Sequence, residues 1–201
     1  MPSRYKKTSF LFQKSRFLLS NDVTFVNNIF IILFITDYMS NDFLDSRKKA
    51  KFQHECARHL LHVTYPMVKD PKLLMGVVNN LVISFEHAID AILAYERQLH
   101  LIPIYGSTFQ SKLHTFQRKS VKRNKIDPRH ISLLLDLKQL QEMHKNCPVE
   151  FQRGNRLILA TKEYKMQSLS MDKLQKWLYQ TKDFLDKTDD ILHLAIEKHK
   201  N

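Results

Sequence analysis

From Met39 onward the apolar residues recur at alternating three- and four-residue steps, the period of a helix with one buried face. Two helices announce their starts in the same way. "KDPKLL" and "IDPRHI" each set an aspartate at an N-cap and a proline at the first helical position, Asp70-Pro71 and Asp127-Pro128. From Pro71 to about Leu101 the stripe Leu74, Val78, Leu81, Phe85, Ala88, Ile92 is flanked by Leu73, Val77, Val82, Ile89 and Leu93. So broad an apolar face predicts the central helix of a bundle, with Asn79, Asn80, Glu86 and His87 on a wetter side.

"IPIYGS" interrupts the pattern, after which Phe109, Leu113 and Phe116 predict a helix that turns basic at its end. Leu133, Leu134, Leu137 and Leu140 give the helix after Pro128 its buried face. The helical period then fails. Gly154-Asn155 lies between Val149–Gln152 and Arg156–Thr161, and Lys162-Glu163 separates that run from Tyr164–Ser168, which predicts a small antiparallel β-hairpin element. Ser170 is placed to cap a last long helix, with Asp172 in its first turn and a stripe from Leu174 through Trp177, Leu178, Thr181, Phe184, Leu185, Thr188, Ile191 and Leu192 to Ala195. The expected fold is mainly α: an antiparallel bundle of about five helices over roughly residues 43–199, with a small β-hairpin before the last helix.

Residues 1–38 differ in texture. They hold Phe10, Phe12, Phe17, Phe25, Phe30 and Phe34 and end in the apolar run "IFIILFI", which is short of the ~20 apolar residues that span a bilayer. "TDYM" follows where a secretory signal would carry small residues. The reading is a poorly structured or spurious leader over 1–38 and a domain over 39–201, with no integral membrane insertion.

Composition agrees with long helices, since Gly 3 and Pro 6 leave little turn punctuation in 201 residues. Two cysteines, Cys56 and Cys147, make no disulfide framework and point to a reducing, cytoplasmic compartment. A net charge of +12 suits a polyanionic partner or an anionic membrane surface.

Candidate chemistry is sparse. Three isolated glycines build neither a G-x-G-x-x-G turn nor a Walker loop, and no G-x-S-x-G or C-x-x-C occurs, so no cofactor is expected. "HECARHLLH" invites comparison with the zinc motif H-E-x-x-H, but His54 and His59 are one residue too far apart, roughly 140° around a helix. Phe52, Cys56, His59, Leu60 and Val63 read instead as a buried apolar stripe, and no metal site is expected.

The densest charge lies in "RKSVKRNKIDPRH": Arg118, Lys119, Lys122, Arg123, Lys125 and Arg129 against one acid, Asp127. On a helix Arg118, Lys119, Lys122 and Arg123 face one way, a surface able to follow phosphates. The same stretch contains Arg123-Asn124-x5-His130. A helical bundle with R-x(4-6)-H and a polar residue after the arginine resembles the HEPN domains, which include metal-independent ribonucleases and inactive interaction modules. The resemblance covers residues 40–199 in architecture and Arg123, Asn124 and His130 in motif. It implies a phosphate-binding arginine, a polar helper and a general acid/base histidine in a metal-independent endoribonuclease.

Three functions follow as expectations: a binding module with a basic face for RNA or another polyanion, a HEPN-like ribonuclease, or a protein-interaction bundle with no nucleic-acid role, acting as a homodimer or with a protein partner.

Overall fold

The computed structural model describes the backbone of residues 24–146, 149–154, 156–160 and 166–198, and side chains within these from 42 to 193. Residues 1–23, Cys147, Asn155, the 161–165 stretch and the side chains of the "IFIILFI" run and of Ala195 lie outside the described residues. The chain divides into two compact units, 1–40 and 41–201. The first helix, α1, spans Thr24–His59.

The fold of the second unit is a helical bundle with a small sheet before its last helix, as the periodicity predicts. α1 passes through a π-helical turn (Leu60–Thr64) into α2 (Tyr65–Val68). α3 (Leu73–Gln98) is the central helix. α4 (Phe109–Thr115) passes through a second π-helical turn (Phe116–Ser120) into α5 (Val121–Arg123). α6 (Pro128–Asn146) precedes strands β1 (Val149–Arg153), β2 (Arg156–Ala160) and β3 (Met166–Ser170), and α7 (Met171–Lys198) closes the bundle.

Capping chemistry explains most boundaries. Asp127 Oδ1 accepts the N–H of Arg129 at 2.8 Å and Asp70 Oδ1 that of Lys72 at 2.9 Å, the same device at both Asp-Pro starts. At Asp70 the first turn closes by i→i−3 bonds, Leu73 to Asp70 and Leu74 to Pro71, so α3 proper begins two residues later than expected from Pro71. Thr108 caps α4 through Ser111 N–H, and Ser170 Oγ accepts the N–H of Lys173 at the start of α7. With so few glycines, the helix ends fall to Lys69, His100 and Lys125, all at positive φ near 50–56°. The first π-turn precedes Pro66, which has no N–H to give and crowds the carbonyl of the turn before it.

α3 buries Leu74, Val78, Leu81, Phe85, Ala88 and Ile92 as its periodicity predicts, and α7 buries Leu174, Leu178, Thr181, Phe184, Leu185, Thr188 and Leu192. Phe184 is the hub. It stacks on Phe85 at 5.0 Å between ring centres, meets Phe116 edge-on at 6.2 Å and lies 5.4 Å from the His130 ring. α3 is the one described helix long and apolar enough to cross a membrane, and most of its apolar surface is spent inside the bundle.

The stripe assigned to α1 is overturned. Phe52 is 64% exposed, Val63 and His59 are exposed, and Cys56 is half-buried. The buried face is Ala50, His54, Ala57, Leu61 and Tyr65. Ala50 and Ala57 permit close approach of α1 to the bundle, where the hydroxyl of Ser84 donates to the Ala50 carbonyl at 2.8 Å. His54, 4% exposed, donates Nε2–H to the Leu178 carbonyl at 3.1 Å. The docked face thus combines large apolar side chains, Phe43, Leu61 and Tyr65, with a satisfied histidine and two alanines that let the helix approach closely.

The three runs of the β element form one antiparallel sheet, order β1-β2-β3. Gly154, at φ 60°, begins the turn that pairs Arg153 with Arg156. Leu157, Leu159 and Leu169 face the core, whereas every residue of β1 is exposed.

Candidate functional site

All of the basic cluster but Arg129, which starts α6, rides on the segment Phe109–Ile126, pinned by Leu113, Phe116, Ser120 and Ile126, which are all buried. In the π-helical turn Val121 N–H reaches the Phe116 carbonyl five residues back, which widens the turn and leaves Gln117, Arg118 and Lys119 exposed in a row. Beyond α5 the chain turns at Lys125, and Ile126 N–H bonds the Val121 carbonyl at 3.0 Å while its side chain enters the core.

The six cations part into two sets. No carboxylate among the described residues lies within ion-pair distance of Arg118, Lys119, Lys122 or Lys125, and all four are exposed. Arg123 and Arg129 are engaged. Arg123 therefore departs from the single face expected for it with Arg118, Lys119 and Lys122: its Nη1 lies 3.2 Å from Glu96 Oε1, and its Nη2 donates to the Leu101 carbonyl at 2.9 Å. Asn124 Nδ2 donates to the same Glu96 oxygen at 2.8 Å and to the Ser120 carbonyl at 3.0 Å. The hydroxyl of Ser120 donates to Glu96 Oε2 at 2.5 Å. Glu96, 2% exposed, thus has both oxygens bonded, which is what a buried carboxylate needs. The network ties the end of α3 to α5 and holds the basic segment in place.

Arg129 forks onto Asp127, Nε at 2.7 Å and Nη2 at 2.6 Å from Oδ2, and this guanidinium holds the Asp127 carboxyl down at about 2. His130, 7% exposed, turns to α7: Nε2 lies 3.4 Å from Asp183 Oδ2, and Nδ1 is buried with no hydrogen-bond partner among the described residues. Burial is the main cause that lowers the His130 pKa, against the opposing pull of Asp183 and Asp127, which favours the uncharged ring. A cleft of about 200 Å³ beside it is lined by Arg129, His130, Tyr179, Gln180 and Asp183.

The HEPN-like motif residues therefore divide. Arg123 and Asn124 share Glu96, while His130 shares none of their partners and contacts Asp183 and Phe184. The second match to that spacing, Arg47-x6-His54, divides likewise: Arg47 binds Asp189 and His54 binds Leu178. Among the described residues no group of three His, Cys, Asp or Glu side chains is disposed to hold a metal. Sequence reading missed Glu96, although it continues the buried stripe of α3 four residues after Ile92.

No family model matches the chain, and neither a curated protein nor a solved structure matches it.

Proposed function

We propose that the chain is a helical-bundle binding module that engages RNA through the phosphate backbone, using Arg118, Lys119, Lys122 and Lys125. The observation that carries this reading is the separation of the cluster into two neutralised arginines and four cations left without a carboxylate, on a segment fastened from beneath by the Glu96 network. Such cations release counterions when phosphates replace them, and their fixed backbone spares part of the ordering cost. Replacing Arg118, Lys119 and Lys122 together by glutamine should weaken single-stranded RNA binding. It should also flatten the log–log salt slope by about 2, at about 0.7 per lost phosphate contact. An unchanged slope sinks the reading.

A second reading, the HEPN-like ribonuclease, draws on the placement of His130 on a cleft beside Asp183, where burial favours the uncharged ring that a general base needs. It requires Arg123 to leave Glu96 for substrate. EDTA-resistant cleavage lost by ~10² or more on His130→Ala, with RNA still bound, would favour it. A protein with neither RNA binding nor cleavage would be left with a protein-interaction role.

A further inference from the structure

The outward face of the three-stranded sheet is a second surface, remote in sequence from the basic segment and built on different principles. Cross-strand partners share a face, so the register Phe151↔Ile158 and Val149↔Ala160↔Met166 places these side chains together on the side away from Leu157, Leu159 and Leu169. Val149 is 52%, Phe151 42% and Met166 71% exposed. The next rung is Arg153↔Arg156, two arginines directly opposite each other with no carboxylate within ion-pair distance among the described residues. Like charges opposed across a ladder are unfavourable by themselves, and an anion between them reverses the sign.

β1 is also an edge. In a hairpin closed by Arg153↔Arg156 the bonded rungs are 153/156, 151/158 and 149/160, so the main-chain groups of Glu150 and Gln152 point out of the sheet. Their side chains do not cover that edge: Glu150 reaches His144 at 3.2 Å and Gln152 reaches the Gly154 carbonyl at 2.9 Å. Natural edges of this kind are commonly blocked by proline, a bulge or a covering loop, or else used.

We propose that β1 accepts an extended segment of a protein partner as a fourth strand. The segment carries apolar side chains at two alternate positions, over Val149 and Phe151, and an acidic residue two further on, held between Arg153 and Arg156. Charge complementarity selects this occupant over a second copy of the chain, whose net charge is +12. The open backbone edge selects it over RNA or a membrane, neither of which offers a ladder of N–H and C=O groups. The site is independent of the RNA reading, since it shares no residue with that surface.

The test pans a fully randomised bead-displayed heptapeptide library with the full-length chain and with an Arg153→Gln/Arg156→Gln variant. The expected result is enrichment of apolar-x-apolar-x-acidic, in either chain direction, by the unmodified chain only. Lysine in place of the acid should weaken a selected peptide at least about tenfold. N-methylation of alternate amides should abolish binding in the register facing β1 and spare it in the other. Four results would overturn the proposal: no enrichment, enrichment that ignores the acid, binding that survives both N-methylation patterns, or a double variant that selects the same peptides. Loss of RNA binding or of phosphatidylserine-vesicle binding in the double variant, with peptide selection unchanged, would reassign the arginines and overturn it equally. An unchanged melting temperature shows that the exposed arginines are not needed for folding.

Discussion

Arg123 and Glu96 form an ion pair at 3.2 Å in which the carboxylate is buried and the guanidinium is half out, 35% exposed on its side chain. The asymmetry predicts unequal costs. Arg123→Ala strands a buried carboxylate with only Ser120 and Asn124 to hold it, and should destabilise by about 2 kcal/mol, less than the ~3–5 of a fully buried pair because Arg123 is partly hydrated already. Glu96→Gln keeps hydrogen-bonding capacity and frees an arginine that water can reach, so about 1 kcal/mol is expected. Urea unfolding of both variants measures this. Arg123→Ala with unaltered stability would mean that the pair is not structural, and would move Arg123 toward the ribonuclease reading.

His130 makes stability depend on pH near neutrality. Its pKa is lowered in the fold from 6.5, mainly by burial, so the unfolded chain takes up a proton that the folded chain refuses. Stability is therefore full above 6.5 and falls as pH drops below it, toward the folded value. His87 is shifted in the same direction by burial and adds to the slope. Glu55, Asp127 and Asp189 have lowered carboxyl pKa values and contribute only at more acid pH. Urea midpoints measured from just above 6.5 down to the edge of the carboxylate range should fall, and His130→Asn should reduce the slope. An identical slope in that variant would show that His130 titrates normally.

The docking face of α1 predicts an inversion of the usual hydrophobicity ranking. Phe52→Ala should change stability by less than about 0.5 kcal/mol, since the ring is 64% exposed. Ala57→Leu should cost about 1–3 kcal/mol or more, because an alanine with no exposure sits where α1 meets the bundle. Thermal melts of the two variants decide it; the opposite order would restore the Phe52 stripe as the buried one.

The glycine-poor helix ends leave stability to be recovered. His100 sits at φ 55° just after α3, and Leu101 N–H bonds the Glu96 carbonyl across it at 2.9 Å. His100→Gly should stabilise by about 0.5–1 kcal/mol through relief of left-handed strain. A lower melting temperature would show that the imidazole makes a favourable contact outweighing that strain.

Helix identity and order were legible because burial on one face imposes a 3.6-residue period that needs no tertiary information. The α3 and α7 stripes, both Asp-Pro starts and the Ser170 cap could be read from residues a few positions apart. Local turn chemistry likewise announced Gly154 and the β element. What failed was every choice between faces of similar hydrophobicity. On α1 both stripes carry large apolar residues and a histidine, and the bundle takes the one with Phe43, Ala50, Ala57 and Leu61, where the alanines allow close approach.

The basic cluster shows the same division. Its charge was visible in "RKSVKRNKIDPRH", but which cations are spent inside was not, since Glu96 lies 27 residues upstream of Arg123 and 28 upstream of Asn124 and meets them only when α3 and α5 pack. Composition and periodicity alone determined a basic, glycine-poor bundle. Tertiary packing alone decided which charges remain for a partner, because neutralisation depends on distance in space and the sequence records only distance along the chain.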